Sequence, residues 1–367
     1  MKKITFPQMG DMKIGLKALF AELGFEVVVP PEISKNTLDL GVKYGPEFAC
    51  LPLKINLGNF IEALEKGANV IVMGGGCGPC RFGYYAEVQR AILEDLGYCF
   101  EMIVLEPNLL RDYRHIKKIL GNISLKRLYN GLKLALYKVY MIDNIYRIVL
   151  ATRALEKKRG EIDSLYSSFL NKIDQASSFK KIKALKDEYQ NKIKENINDY
   201  QRNERLIIGI VGEIYLVLEP FVNLNIEEKL GKLGVIVKRD IYMSSWLLHF
   251  LHLGNEMRKI KKAAENYLDS FVGGHGLDSI GNTVRYARVG YDGVIQLAPF
   301  TCMPEIISQT ILPSVSKKEK IPVLSLFFDE HTGDAGLQTR IEAFVDLLMR
   351  KKIYKDGKLL EKGINYG

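Results

Sequence analysis

Nothing in this 367-residue sequence approaches the run of about 18 apolar residues that a membrane-spanning helix needs. There is no Walker-type G-x-x-x-x-G-K-[ST] loop and no complete G-x-G-x-x-G fingerprint, so no motif announces nucleotide hydrolysis. Zinc-finger and RNA-binding motifs are missing as well. Cysteine is scarce: five in a long chain, an odd number that argues against a disulfide scaffold and for metal or redox use. Met1-Lys2-Lys3 resembles the start of a signal peptide, yet Pro7, Gly10 and Asp11 arrive before any apolar core forms. These absences lead to the expectation of a soluble, cytoplasmic protein without a membrane segment.

What is present is an ordinary globular composition, 47% hydrophobic, in a chain long enough for two or three domains. The net charge of +9 is unevenly spread. Residues 111–205 hold 22 Lys and Arg against 11 Asp and Glu, whereas the remainder is nearly balanced at 30 against 32. A basic surface of this kind suits an anionic ligand or partner; without a nucleic-acid motif, solvated lysine-rich helix faces account for it better.

Short apolar runs alternate with helical patterns in the first hundred residues. Strands are predicted at 4–6, 26–29, 70–73 and 100–105, with helices between them: one from the turn at 7–10 to about 23, and others at about 37–44, 60–66 and 87–96. Residues 47–52 read as a loop, and Gly24 as a helix-ending glycine. Residues 108–205 are helical in pattern. Leu125, Leu128, Leu132, Leu136 and Val139 form one apolar face behind a Ser124 N-cap, and Phe179, Ile182, Leu185, Tyr189, Ile193 and Ile197 form another. Alternation resumes with strands at 206–211, 235–237, 294–297 and 323–327, a helical insertion at 242–271 and a closing helix at 337–351. The fold class that follows is α/β: two Rossmann-like parallel-sheet domains, 1–107 and 206–367, flanking a basic helical segment, 108–205.

One stretch organises the rest: VIVMGGGCGPCRFGYY, residues 70–85. A buried strand runs into three glycines and then into Cys77-Gly78-Pro79-Cys80-Arg81, at the carboxyl end where open α/β sheets bind ligands. In the second half, the third strand likewise leads to a cysteine turn, Leu297-Ala298-Pro299-Phe300-Thr301-Cys302.

Three chemistries fit the thiols. Cys77-Gly-Pro-Cys80 matches the thioredoxin string, but the preceding residue is Gly76 where thioredoxins carry Trp, and the reading leaves Cys50 and Cys302 unexplained. A zinc site could draw on Cys50, Cys77, Cys80 and Cys302, although only one C-x-x-C pair exists. An iron–sulfur cubane held by thiolates from separate loops is the third option. Cys99, at the start of a strand, reads as a small buried filler.

GPCRFGYY (78–85), ACLPLKINLGNF (49–60), APFTCMPEI (298–306) and DEHTGDAGLQTRIEAF (329–344) together resemble the activase-related branch of the 2-hydroxyacyl-CoA dehydratase superfamily, which includes the benzoyl-CoA-reductase-type subunits. Residues 7–11 and 211–215 fit as well. The resemblance implies a [4Fe-4S] cluster on Cys50, Cys80 and Cys302, with Cys77 outside the ligand set. It also implies an ATP-hydrolysing activator as electron donor, a homodimer or a heterodimer with a related subunit, and an acyl-CoA-type substrate for a dehydratase or reductase. A non-catalytic electron carrier or assembly partner is the alternative, and a thiol-redox protein a further one.

Gly78 and Arg81 are the candidate cofactor-contacting residues; Arg81 suits either an anionic group or the loop's own carbonyls. Glu330 and His331, just past a predicted strand, are candidate proton carriers, or cap the last helix. His249 and His252 read as core histidines and His275 as a loop residue first and a ligand second.

Overall fold

The computed structural model describes residues 2–363 except 77, 107–116, 118, 120, 122 and 251–255, with the backbone alone at 201, 248–250 and 355–363. Two four-stranded, wholly parallel sheets organise these residues. The first contains β1 (Lys3–Thr5), β2 (Glu26–Val27), β3 (Val70–Gly74) and β4 (Glu101–Leu105), in the order β2-β1-β3-β4. Its helices are α1 (Met12–Glu22), α2 (Lys35–Tyr44), α3 (Leu51–Glu65) and α4 (Tyr85–Asp95). The α/β class is thus as the alternation predicts.

Between the sheets lie α5 (Leu125–Thr152), α6 (Glu161–Gln175) and α7 (Phe179–Glu195). The second sheet repeats the strand order of the first: β5 (Ile207–Gly212), β6 (Ile236–Arg239), β7 (Gly293–Pro299) and β8 (Val323–Phe328) run β6-β5-β7-β8. Around it are α8 (Ile214–Leu218), α9 (Ile226–Lys232), α10 (Met243–Phe250), α11 (Glu256–Ala264), α12 (Gly276–Arg288), α13 (Met303–Glu319) and α14 (Asp334–Gly363). No helix among the described residues is long and apolar enough to cross a membrane.

Three departures from the sequence reading matter. First, α3 begins at Leu51, where a loop is expected, because Pro52 sits in the first turn, whose N–H has no intrahelical acceptor. Second, the leucine face of α5 is not the buried one: Leu125 and Leu132 are exposed, and Ser124 makes no side-chain cap bond. Of that face Val139 is buried as expected, and Gly131, Ala135 and Ile142 are buried with it. A Cβ on Gly15 of α1 would come within 2.7 Å of Val139 Cγ2, so the two helices cross too closely for leucines to fill the seam. Third, Gly276 opens a 13-residue helix that the glycine-rich sequence hides. The middle of the α7 face is as expected, with Ile182, Leu185, Tyr189 and Ile193 buried, whereas Phe179 at its start is exposed and Ile197, past its end, is half-buried.

The core is continuous across the two sheets. Leu51 and Ile55, from the start of α3, pack in one cluster with Leu297 and Phe328 from β7 and β8. Close crossing of α2 and α3 sets the position of that helix start: a Cβ on Gly58 would lie 2.0 Å from the Thr37 carbonyl oxygen, and one on Gly41 would lie 1.9 Å from that of Lys54.

Candidate functional site

In each sheet the strand order reverses between the first and third strands, and ligands of open α/β sheets bind at the carboxyl side of such a switch point. Cys80 follows β3 there, and Cys302 follows β7. Cys80 caps the short 3-10 turn Arg81–Tyr84 that leads into α4; Cys302 caps α13, and Cys50 caps α3. All three have extended backbone at the cap position, and none spends its side chain on the cap. Helix N-termini favour negative charge, which makes these places suited to thiolates.

Arg81 ties the three cysteine-bearing segments together. Its guanidinium donates to the carbonyl oxygen of Phe48 at 3.1 Å, to the Thr301 Oγ1 at 3.0 Å and to the Thr301 carbonyl oxygen. Thr301 holds a left-handed φ of +67°, rare for a β-branched residue, and its hydroxyl also donates to the Phe48 carbonyl at 3.2 Å. Gly78 adopts φ +118°, and a Cβ there would lie 3.7 Å from the exposed Phe271 ring.

Cys50 and Cys302 are each 7% exposed, and Cys80 is half-buried. Burial pushes all three thiols up, most strongly Cys302. Their charges act on one another: Cys80 raises Cys50, and Cys50 raises Cys302. The Cys50 sulfur shares a short hydrogen bond with the Tyr85 hydroxyl. Glu213, at the N-cap of α8, accepts from the Leu216 N–H at 3.1 Å and acts on all three thiols. Glu305 is fully buried, accepts from Gln296 Nε2 at 2.8 Å and Ser279 Oγ at 2.9 Å, and is pushed up to about 7 by burial. The glycine-rich loop before α12 lies over Cys80, since a Cβ on Gly274 would be 3.8 Å from its sulfur. His275 follows in that loop and lowers both Glu213 and Glu305 electrostatically.

Among the described residues, no group of three or more His, Cys, Asp or Glu side chains is arranged to hold a single metal ion. Thiolates around a four-iron cubane stand farther apart than those around one ion, and each needs a nearby positive end. Three thiols at helical N-caps, with Cys80 acting on Cys50 and Cys50 on Cys302, are donors of the type such a group takes.

A polar pair lies beside the thiols. Lys54, one turn after Cys50 on α3 and 1% exposed, donates to Glu330 Oε1 at 2.5 Å. Glu330 follows β8, and this bond holds its carboxyl below the ordinary range although its burial opposes that. His331 is exposed, its backbone N–H donating to Asp329 Oδ1 at 3.0 Å in a tight turn ahead of α14. Cys77 and His252 lie outside the described residues, as does the side chain of His249. Cys99 is exposed, which corrects its reading as a buried filler: it stands in the turn after α4, ahead of the first paired residue of β4, Glu101.

The profile of the 2-hydroxyglutaryl-CoA dehydratase D-component family matches residues 110–348, and that of the CoA enzyme activase uncharacterised domain matches 9–74. The chain belongs to the 2-hydroxyglutaryl-CoA dehydratase D-component family. No curated protein matches it. Cys302, Glu305 and Glu330 fall within the dehydratase-family match, whereas Cys50 and Lys54 fall within the other.

Glu213, Glu305, Tyr85 and Lys54 lie within the stretches that carry the family resemblance, yet none was singled out as a site residue. Lys54 had a signal, being the one charged residue between Ala49 and Ile61 in an otherwise apolar and amide-bearing helix. Glu213 and Glu305 follow strands at the same edge as the cysteines.

Proposed function

We propose that this chain is a subunit of a 2-hydroxyacyl-CoA dehydratase-type enzyme and that Cys50, Cys80 and Cys302 bind a [4Fe-4S] cluster between its two sheets. What carries the reading is the convergence of three helix-capping thiols from both halves, tied by Arg81. Such a cluster supplies low-potential one-electron chemistry on an acyl-CoA-type substrate. The electron comes from a separate ATP-hydrolysing activator, and the chain works as a homodimer or paired with a related subunit.

The chain's own residues define the surroundings. With Cys50 ionised, the Tyr85 hydroxyl is the donor in their hydrogen bond, because a thiolate has no proton to give. Arg81 holds the 48, 81 and 301 segments in register, which fixes where the three sulfurs stand. Glu305, titrating near neutral pH, can keep or release a proton at its carboxyl beside the site.

Anaerobic purification followed by iron and sulfide counting tests the proposal. About four irons per chain are expected for a single cubane, with near-complete loss in Cys302→Ser. Full iron retention in that variant rejects a site shared by both halves.

A further inference from the structure

A cavity of about 450 Å³ lies outside the thiol site: none of Cys50, Cys80, Arg81 and Cys302 lines it. Its walls come from the turn after β1, from α5 and α6, and from the segment that follows α8.

Charge is unbalanced there. Six carboxylates line the cavity against three cations. Each cation is already taken: Lys13 pairs with Glu32, Arg153 with Asp163 at 2.7 Å, and Arg239 with Glu227 at 3.0 Å. Glu228 pairs with Lys232 outside the cavity lining. Asp11, Asp143 and Glu219 remain, and they form no ion pair among the described residues. Their carboxylates accept from uncharged donors: the Tyr166 hydroxyl, the Ser244 N–H at 2.7 Å, and the N–H groups of Gly10 and Phe221. Burial lifts all three carboxyls; Asp143 lifts Asp11 further, and Asp11 does the same to Glu219. Positive charge brought into the cavity reverses that cost. Glu227 points the same way. It is 5% exposed, and its Oε1 accepts no hydrogen bond among the described residues, lying 3.0 Å from Arg239 Nη1 but off the line of its N–H. A buried carboxylate oxygen in that state calls for a donor.

These features select a chemical class. An anion meets like charge, so the phosphate-bearing thioester is not the occupant. One metal ion needs several acids closed around it, and no three among the described residues stand so. Ammonium groups spaced along a hydrocarbon chain suit the lining, because each brings three donors and a full charge, and Val139, Ile142 and Leu170 offer apolar wall to the methylenes. We infer that this cavity is a binding site for an aliphatic polyamine, whose ammonium groups donate to Asp11, Asp143 and Glu219. The site stands independently of the acyl-CoA reading.

Calorimetric titration of the full chain with 1,4-diaminobutane and with 1,4-butanediol, a chain of the same length without charge, tests this. At equal ionic strength the diamine is expected to bind at least about 10-fold more tightly, the worth of one hydrogen bond to a charged group. Asp143→Asn and Glu219→Gln are each expected to weaken the diamine about 10-fold. Asp187→Asn, at an exposed acid on α7, is expected to leave its affinity unchanged. Glu219→Gln decides the matter if Asp143→Asn does not fold. Equal affinity for diamine and diol overturns the site, as does failure of the diamine to bind. Magnesium chloride that binds more tightly than the diamine, and displaces it, overturns the polyamine in favour of a metal ion. Diamine affinity that survives in Glu219→Gln and Asp143→Asn puts the binding elsewhere and overturns the inference too.

Discussion

Glu219 accepts from the backbone N–H of Gly10 at 2.8 Å and of Phe221 at 3.3 Å, and burial lifts its carboxyl to about 7. Asp11 and Glu32 add like charge in the same direction. Because the folded-state value lies above the ordinary 4.5, its contribution is full below pH 4.5 and is lost as pH rises through about 7. Unfolding free energy is therefore expected to fall across that window, with Glu219→Gln removing on the order of 3 kcal/mol of the decline. Glu305 titrates in the same range, so urea titrations of the variant at several pH values should show a flatter slope and not a level one. At Cys99, which is exposed, substitution by serine is expected to leave iron content unchanged, measured beside Cys302→Ser. Cys80 and Cys302 were legible as chemistry from their place after strands, whereas Cys50, in a loop between two helices, stood out only through the family resemblance. Lys54 stood out as a lone charge, but its pairing was not legible, because Glu330 lies 276 residues away.

The crossing of α2 and α3 sets the site at the scale of elements. Gly58 lets the Thr37 carbonyl approach to where a methyl group would stand 2.0 Å away. Gly58→Ala must push the helices apart, and a loss of about 1–3 kcal/mol is expected in denaturant unfolding. The displacement passes to the start of α3, so the variant should also lose iron, in contrast to an alanine at Gly67, where a Cβ meets nothing within 4 Å but the φ of +89° costs some strain. Strand positions were readable because buried parallel strands are short apolar runs bounded by glycine and proline. The start of α3 was hidden because proline reads as a breaker until its place in the first turn is known. The seam of α5 was hidden because periodicity counts leucines, and the contact with α1 runs along Gly131 and Ala135.

For the whole molecule, the two sheets share one strand order, and each carries a thiol at its switch point. Alternation in the sequence gives both sheets but says nothing of how they face each other; that depends on contacts such as Arg81 to Thr301 across 220 residues. The purified chain alone is expected to release no ADP from ATP, since the sequence holds neither a Walker-type loop nor a complete G-x-G-x-x-G fingerprint; steady hydrolysis above a no-protein control contradicts a separate activator. Cys302 belongs to one half and Cys50 and Cys80 to the other. Anything that grips all three therefore works as a clasp, and its binding free energy resists parting of the halves. If the proposed cluster is that clasp, survival against protease would gauge metal delivery: in iron-starved cells the same polypeptide, made at the same rate, is expected to be cleared faster.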